Sequence, residues 1–492
     1  MPITVANEGF KFQSSSNNNS SSSGSSGSRS SSNATSPATP PPTVHHHVNV
    51  DLVDAALAAM EVPTGKRTGW QVQSSFLARH THNMIRGIVE SLKMKPNPEK
   101  PMIPLSIGDP TIFGNLKASD ETMKAVLKAV EGAKFNGYAG SMGHDAARQA
   151  IAKYSAHQRP DMEISPNDVV ITSGCSAALE MCILALADRG QNVLVPRPGF
   201  CLYKTLAEGM NIEIRYYDLL PDQEWRADLK QMESLIDENT AALLINNPGN
   251  PCGSVYDADH LKRMIDICER HYLPIIADEI YEHFVFPDVE YVAISSLTHE
   301  VPVLTCGGLT KRFLVPGWRT GWVIVHDRKQ RLGDAVNGLK NLCGRILGSN
   351  TIVQGALPDI LVKTPQSYFD GVIELLHSNA LMAYRALKKV RGLNPVMPKG
   401  AMYMMIGISI EHFPALKDDV HFVQEMVNEQ SVFCLPGSCF QCPNFIRIVL
   451  TVPAEMIEES CVRIAEFCEL HYKKDTRAFI EHSTLLDGSV NF

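Results

Sequence analysis

The sequence of 492 residues contains no apolar run that approaches the ~20 residues a membrane-spanning helix requires. It also has no excess of basic residues, since 45 Lys and Arg stand against 53 Asp and Glu, a formal net charge of -8. This balance provides no basic face for nucleic acid, so we expect neither a nucleic-acid partner nor a membrane. The opening stretch, MPITVANEGF, lacks the charged and apolar segments of a secretory signal.

The 12 cysteines form no framework of regular spacings. Many lie singly in apolar runs, and the one CxxC motif, from Cys439 to Cys442, has no second pair with which to bind zinc. These two cysteines could take part in redox chemistry, or they could be ordinary thiols that pack in the core. We therefore expect reduced cysteines and a cytoplasmic location, with no bound metal. The adjacent His45, His46 and His47 provide at most a weak metal site.

Composition divides the chain into four predicted regions. Residues 1–66 form a tail rich in Ser, Asn and Pro, which is expected to be disordered because it cannot bury enough apolar surface. Within this tail, residues 51–60 could form a short amphipathic helix. Residues 67–135 are predicted to contribute to a small domain, residues 136–350 to form a large ligand-binding domain, and residues 351–480 to form the rest of the small domain.

Short runs rich in Val and Ile alternate with helical periods in the large domain. Seven of these runs are predicted strands: DVVITSG, NVLVPRP, IEIRYYDL, AALLINNP, PIIADEI, VPVLTCG and TGWVIVH. The alternation predicts an α/β fold, with a mostly parallel seven-stranded sheet and helices on both faces. The last strand follows the sixth with no helix between them, so it is predicted to run antiparallel. The runs GAMYMMIGI and FIRIVLTVP predict a smaller α+β layer.

Polar and aromatic residues follow several predicted strands at their carboxyl ends, where parallel sheets bind ligands. Residues 173–176 open a helix, where they can bind an anion or merely cap the helix. Phe200 can cover a flat ring or pack in the core, and Asn250 can bind a ligand or only form a turn. Asp278 ends an apolar strand, where a carboxylate is costly unless it meets a cation or a capped helix.

The stretch GGLTKRFLVPGWRTGW places Lys311 and Arg319 after the sixth predicted strand. Most lysines are solvated surface charges, but a partly desolvated lysine can form a Schiff base with an aldehyde. Arg319 can bind a phosphate through its planar guanidinium. Together with the anion site at residues 173–176 and the carboxylate of Asp278, these two residues predict a site for pyridoxal phosphate.

The sequence resembles the pyridoxal-phosphate-dependent aminotransferases of fold type I, and within them the tyrosine aminotransferase branch, over about residues 70–472. The motifs that carry the resemblance are SIGDPTIFGN, NGYAGSMG, TSGCSAALE, PRPGFCLYKTLAE, NNPGNPCGSV, ADEIY, GGLTKRFLVPGWRTGW, GAMYMM and PNFIRIVLTVP. The resemblance implies transfer of the amino group of L-tyrosine, and of other aromatic amino acids, to 2-oxoglutarate by a ping-pong mechanism. The products would be 4-hydroxyphenylpyruvate and glutamate.

The resemblance also implies a role for each residue around the cofactor ring. Lys311 would hold the cofactor covalently and move the substrate proton, and Asp278 would keep the ring nitrogen protonated. Tyr281 and Asn250 would form hydrogen bonds with the ring oxygen, and Phe200 would stack on the ring.

A second set of roles concerns the phosphate and the substrate. The phosphate would be held by four residues: Gly174, Cys175, Ser176 and Arg319. The resemblance implies a homodimer with shared active sites, in which Tyr138 reaches the phosphate of the neighbouring subunit. Arg447 would bind the substrate carboxylate, Asn250 would also belong to the substrate-binding residues, and Gly108 would let the backbone approach the substrate closely.

Two positions depart from the resemblance. Gly308 stands where many relatives have a serine, which removes one hydroxyl from the phosphate site, and Met84 stands where the tyrosine branch usually has proline, near the substrate entrance. The sequence therefore leaves open alanine or kynurenine as the main amino donor, or a β-lyase reaction on the same residues. An effector-binding role in a transcription regulator is disfavoured, because it would need a basic helix-turn-helix segment before the fold.

Overall fold

The computed structural model describes residues 70, 72, 74–157, 159 and 162–473. The predicted disordered tail before residue 67, the possible helix at residues 51–60 and the three histidines at positions 45–47 lie outside the described residues. None of the described helices is both long enough and apolar enough to cross a bilayer.

The described part of the chain alternates helices and strands over most of its length. The α-helices are α1 (Phe76–His80), α2 (Met84–Ser91), α3 (Asp120–Glu131), α4 (Asp145–Ala156), α5 (Cys175–Leu186), α6 (Leu202–Glu208), α7 (Leu229–Ser234), α8 (Ala258–Arg270), α9 (Gly333–Cys343), α10 (Thr351–Lys363), α11 (Gln366–Leu387), α12 (Asp419–Gln430) and α13 (Ala454–His471). The strands are β1 (Ile103–Pro104), β2 (Val169–Thr172), β3 (Asn192–Arg197), β4 (Glu213–Leu220), β5 (Arg226–Ala227), β6 (Thr240–Asn246), β7 (Ile275–Asp278), β8 (Val303–Gly308), β9 (Gly321–His326), β10 (Leu393–Pro395), β11 (Tyr403–Ile408), β12 (Val432–Phe433), β13 (Leu435–Pro436) and β14 (Phe445–Val449).

The large sheet has eight strands in the order β2-β9-β8-β7-β6-β3-β4-β5. Strands β8, β7, β6, β3 and β4 run parallel to one another, which confirms the predicted mostly parallel α/β sheet. Strand β9 runs antiparallel to both of its neighbours, as its short connection to β8 predicted. The predicted number of seven strands is wrong by one. The additional strand, β5, pairs with β4 through only two residues and is too short to form an apolar run.

The large sheet is covered on both faces because consecutive side chains of a strand point to opposite sides. On β6, Leu243 and Ile245 belong to one apolar cluster, whereas Ala242 and Leu244 belong to another. The helix α8 packs in the first cluster and α5 in the second. Full burial of a Leu or Ile side chain stabilises the fold by ~1.5–3 kcal/mol, so the two clusters keep the sheet rigid under its carboxyl edge.

A smaller antiparallel sheet has the strand order β10-β11-β14-β13. Its central strands β11 and β14 correspond to the predicted runs GAMYMMIGI and FIRIVLTVP. Strand β1 pairs in parallel with β12, so the segment before residue 105 contacts the part of the chain after residue 430. The domain boundaries expected after residues 66, 135 and 350 stay predictions.

Candidate active site

Asp278 is the last residue of β7 and is buried, with 3% of its surface exposed. Its Oδ2 accepts a hydrogen bond of 2.7 Å from the hydroxyl of Tyr203. Its Oδ1 lies 3.4 Å from the backbone N–H of Ile280 and 3.8 Å from the Sγ of Cys175. Burial raises the pKa of Asp278, and these neutral donors oppose the rise because they favour the ionised form. The buried carboxylate therefore accepts hydrogen bonds from neutral groups and is available to a cationic ligand.

Lys311 follows β8 in the turn that leads to β9. Its Nζ donates a hydrogen bond of 2.8 Å to the carbonyl of Gly108 and lies 5.8 Å from the centre of the Tyr281 ring. The hydroxyl of Tyr281 lies 3.0 Å from the hydroxyl of Tyr403. Burial raises the pKa of Tyr281 well above its usual value, so this phenol keeps its proton. The lysine amine and the phenol lie side by side, within reach of one ligand.

Gly174 lies between β2 and α5 and has φ of 84°, a conformation that glycine adopts without strain. A Cβ at this position would lie 2.5 Å from the Nη2 of Arg319, so the missing side chain lets the guanidinium approach the backbone. Arg319 also donates a hydrogen bond of 3.2 Å to the carbonyl of Ser173. The backbone N–H groups of Cys175 and Ser176 belong to the first turn of α5, where no intrahelical acceptor is available. A guanidinium beside a helix N-terminus is suited to a phosphate.

Arg447 lies in the middle of β14 and is buried, with 3% of its surface exposed. Its Nη1 donates to the Oδ1 of Asn250 at 3.1 Å, and its Nη2 donates to the carbonyl of Ser106 at 3.0 Å. Its guanidinium carbon lies 4.2 Å from the centre of the Tyr403 ring and 4.7 Å from that of Phe440. Burial lowers the pKa of Arg447, and its Nε has no hydrogen-bond partner in the described part of the chain. This buried cation is suited to a ligand carboxylate.

Two asparagines at and after the end of β6 connect the backbone of Asp278 to the guanidinium of Arg447. The side-chain Nδ2 of Asn246 donates to the backbone carbonyl of Asp278 at 3.0 Å, and its Oδ1 accepts from the backbone N–H of Asn250 at 2.7 Å. Asn250 in turn accepts from Arg447. The ring of Phe200 packs edge-on against the ring of Tyr203, with 5.9 Å between centroids. The predicted ring-binding residues thus belong to one connected set of contacts.

Three other positions singled out from the sequence are not joined to this set by the contacts described above. Tyr138 is 86% exposed on the surface of this chain, and no hydrogen bond or ion pair between described residues joins it to the site. A Cβ on Gly308 would lie 2.9 Å from the carbonyl oxygen of Thr320, so a serine would not fit there without a shift of the neighbouring strand. The Sδ of Met84 accepts a hydrogen bond of 3.1 Å from the Nε2 of Gln441.

Comparison with known proteins identifies the family. A family model described as aminotransferase class I and II matches residues 100–464. The chain belongs to this aminotransferase family. It is 52% identical to the tyrosine aminotransferase of Homo sapiens and 51% identical to that of Mus musculus, each over 83% of this chain and 90% of the relative. A crystal structure of tyrosine aminotransferase from Leishmania infantum has a TM-score of 0.80 and 34% identity, and the match covers 82% of this chain and 100% of that one.

Two residues of the aminotransferase site were not predicted from the sequence. Tyr203 forms the shortest hydrogen bond to Asp278. Tyr403 contacts Tyr281 and the guanidinium of Arg447, and a Cβ on Gly108 would lie 2.9 Å from its hydroxyl. Both tyrosines lie in motifs that carried the resemblance, PRPGFCLYKTLAE and GAMYMM. Their positions in a helix and in a strand gave no signal that distinguished them from core aromatic residues.

Proposed function

We propose that this aminotransferase uses pyridoxal 5'-phosphate to move the amino group of L-tyrosine, and of other aromatic amino acids, to 2-oxoglutarate. The products are 4-hydroxyphenylpyruvate and glutamate. The proposal is carried by the connected contacts among Lys311, Asp278 and Arg447, in a chain half identical to proteins named tyrosine aminotransferase. A lysine amine, a buried carboxylate and a buried guanidinium are the groups that the reaction requires.

Two features of the site fit pyridoxal phosphate. Among the described residues, the carboxylate of Asp278 accepts hydrogen bonds only from neutral groups, which suits a protonated ring nitrogen as its charged partner. The space at Gly174, which a Cβ would fill, lies against Arg319 at the start of α5 and suits a phosphate. Bound pyridoxal phosphate supplies an aldehyde and an electron-withdrawing ring.

The protein supplies binding groups and positioned proton carriers. Lys311 Nζ is the base that takes the proton from the substrate Cα, and Asp278 holds the proton on the ring nitrogen. Tyr281 would donate a hydrogen bond to the ring oxygen, since burial keeps that phenol protonated. Arg447 binds the α-carboxylate of the amino acid and of the 2-oxo acid in turn through its two terminal nitrogens. Hydrogen bonds to Asn250 and to the Ser106 carbonyl hold that guanidinium in one orientation.

A panel of amino donors with 2-oxoglutarate as acceptor tests the proposed reaction. We expect tyrosine to give the highest kcat/KM, glutamate to form in equal amounts with the 2-oxo acid, and initial rates to follow a ping-pong pattern. The Lys311→Ala variant should lose both turnover and the visible absorption band of the bound cofactor, whereas Lys399→Ala, at an exposed ion pair, should keep both. A higher kcat/KM for alanine or kynurenine, or release of ammonia without use of 2-oxoglutarate, would contradict the proposal.

We further propose a cytoplasmic homodimer whose two active sites are shared. The high exposure of Tyr138 supports this proposal, since a residue that serves the partner's phosphate must project from its own chain. The free state of all twelve cysteines supports a reducing compartment. Sedimentation equilibrium should give twice the mass of one chain. Mixing inactive Lys311→Ala chains with impaired Tyr138→Phe chains should restore activity, because each hybrid dimer would contain one intact site. Activity of the mixture equal to the sum of the activities of the two separate variants would exclude shared sites.

A further inference from the structure

A buried ion cluster, formed by Arg159, Glu279 and Glu282, adjoins the turn that follows β7. The side chain of Arg159 has no exposed surface, and those of Glu279 and Glu282 are 2% and 9% exposed. The Nη2 of Arg159 lies 2.5 Å from the Oε2 of Glu279, and its Nη1 lies 3.5 Å from the Oε2 of Glu282. None of these three residues contributes to the reaction proposed above.

The two glutamates of the ion cluster alternate with two residues of the active site in the motif ADEIYEH. Asp278 and Tyr281 contact other site residues, whereas Glu279 and Glu282, each one position further, contact Arg159. The backbone turns tightly here, because the N–H of Glu282 donates to the carbonyl of Glu279 at 2.9 Å. Side chains on one side of the turn therefore belong to the active site, and those on the other side belong to the ion cluster.

Arg159 connects this turn to two other parts of the large domain. Its Nε donates to the Oγ of Ser295 at 2.8 Å, and its Nη1 donates to the carbonyl of Ser155 at 3.1 Å, in the last turn of α4. Glu279 is also held from a second direction, since its Oε1 accepts from the backbone N–H of Ile294 at 3.2 Å. Arg159 and Glu279 are therefore each held by more than one partner.

The segment that bears Lys311 packs near the same cluster through its next residue. The guanidinium carbon of Arg312 lies 4.0 Å from the centre of the Phe369 ring and 5.6 Å from that of Tyr154. The ring of Tyr154 lies 5.2 Å from that of His283, which follows Glu282 in the chain. The ion cluster and the aromatic residues beside it therefore lie next to two segments of the active site. One bears Lys311, and the other bears Asp278 and Tyr281.

Net stability does not account for the ion cluster. Removing three charges from water costs several kcal/mol for each ion, and well-packed apolar residues of similar volume are often as stable. Several hydrogen bonds to one charged group instead fix its geometry, because they can all form in only one arrangement of the partners. A catalytic carboxylate needs such support, since site residues must be held within ~0.5 Å of their productive positions.

We propose that Arg159 is a positioning residue of the aminotransferase site. It holds Glu279 and Glu282 and thereby fixes the turn that presents Asp278 and Tyr281 to the cofactor. This inference rests on the proposed use of pyridoxal phosphate. Arg159 would affect cofactor affinity through Asp278 and Tyr281, apart from its effect on the stability of the fold.

The test compares Arg159→Met with a matched buried arginine. Titration of each apoenzyme with pyridoxal phosphate, followed by tryptophan fluorescence, gives the dissociation constant, and thermal unfolding gives the stability. We expect Arg159→Met to weaken cofactor binding at least ~10-fold, the size typical for loss of a group that orients a binding residue. Arg463→Met is the control, because Arg463 is 5% exposed and pairs with Glu459 on its own helix and with the backbone carbonyls of Pro101 and Gln430. It should lose stability and keep wild-type affinity.

Two further variants keep the inference falsifiable if Arg159→Met does not fold. Glu282→Gln retains the shape of the side chain and removes its charge, and it should also weaken cofactor binding. Arg159→Lys should bind the cofactor with intermediate affinity, because an ammonium cannot hold both glutamates through one planar group. In every variant that binds the cofactor, kcat should fall while the KM for tyrosine stays near the wild-type value, since Arg447 is unchanged.

The outcomes separate the two proposals. Wild-type apoenzyme that does not bind pyridoxal phosphate would refute the proposed function. The positioning role alone would be overturned if the wild-type and Arg463→Met proteins bind pyridoxal phosphate and the Arg159→Met or Glu282→Gln protein binds it equally well. A loss of thermal stability in the Arg159 variants without a change in affinity would also overturn it.

Discussion

Removing the hydroxyl of Tyr203 is expected to weaken the hold of Asp278 on the cofactor ring. This hydroxyl donates a hydrogen bond of 2.7 Å to the Oδ2 of Asp278, whereas the other two donors, from Ile280 and Cys175, lie 3.4 Å and 3.8 Å from Oδ1. Tyr203→Phe deletes one oxygen atom and leaves the ring in place, packed edge-on against Phe200. The substitution therefore removes the shortest hydrogen bond to the carboxylate and little else.

The size of the effect follows from the charge of the acceptor. A hydrogen bond to a charged group contributes ~1.5–3 kcal/mol, and each 1.4 kcal/mol changes an equilibrium constant tenfold, so cofactor affinity should fall by ~10- to 150-fold. The direction of the pH effect follows from the same bond. Burial already raises the pKa of Asp278, and the Tyr203 donor favours the ionised form. Without that donor the pKa rises further, so the acid side of the affinity profile should move to higher pH.

The assay is a titration of apoenzyme with pyridoxal phosphate at a series of pH values, with tryptophan fluorescence as the signal. Tyr217→Phe is the matched control, because Tyr217 is also buried and donates a hydrogen bond of 3.0 Å, but to the backbone carbonyl of Leu244. It should lower the free energy of unfolding and leave the affinity profile unchanged. Equal profiles for wild-type and Tyr203→Phe proteins would refute the role assigned to this hydroxyl.

Three substitutions in the site have separable outcomes. Asp278→Asn should fold normally, by circular dichroism, and lose most activity, because a neutral amide cannot hold the ring proton; nearly intact turnover would contradict this. Gly174→Ala places a Cβ 2.5 Å from the Nη2 of Arg319, at a residue with φ of 84°. The substitution should therefore weaken the binding of pyridoxal phosphate more than the binding of pyridoxal. An equal loss of affinity for both ligands would count against a phosphate site here. Arg447→Lys keeps the positive charge and loses the planar guanidinium, so kcat/KM should fall ~10- to 100-fold for both tyrosine and 2-oxoglutarate. An unchanged kcat/KM for either substrate would exclude a shared carboxylate site.

The sequence predicted the inner strands of the large sheet well because most of their residues are buried. Every residue of β7 and β9 is buried, so each strand is a continuous apolar run with a clear beginning and end. Strand β5 could not be predicted in this way, because it consists of Arg226 and Ala227 and pairs only with the end of β4. Its existence depends on the tertiary fold and not on local apolar pattern.

Site residues that follow strands could be predicted from the sequence. Site residues inside helices and strands, or far apart in the chain from the residues they contact, could not. Asp278 and Lys311 lie at or after strand ends, and the parallel sheet brings those ends together. Tyr203 and Tyr403 lie inside regular elements, where an aromatic side chain normally packs in the core. Arg159 is 120 residues from Glu279 in the chain, so no spacing rule pairs them, and they meet only in the folded protein.

The aminotransferase site keeps two opposite charges buried without pairing them. Asp278 and Arg447 are each 3% exposed, and hydrogen bonds through Asn246 and Asn250 link the backbone carbonyl of Asp278 to the guanidinium of Arg447. A direct ion pair would neutralise both groups and leave neither for a ligand, so keeping the two charges apart preserves the function at a cost in stability. Ligands should therefore stabilise the protein, by ~2.7 kcal/mol at a free concentration 100 times the dissociation constant. Differential scanning calorimetry of apoenzyme should show one rise in unfolding temperature with pyridoxal phosphate and a second with a dicarboxylate, and Arg447→Leu should abolish only the second. If that variant kept both rises, the buried guanidinium would not be the carboxylate site.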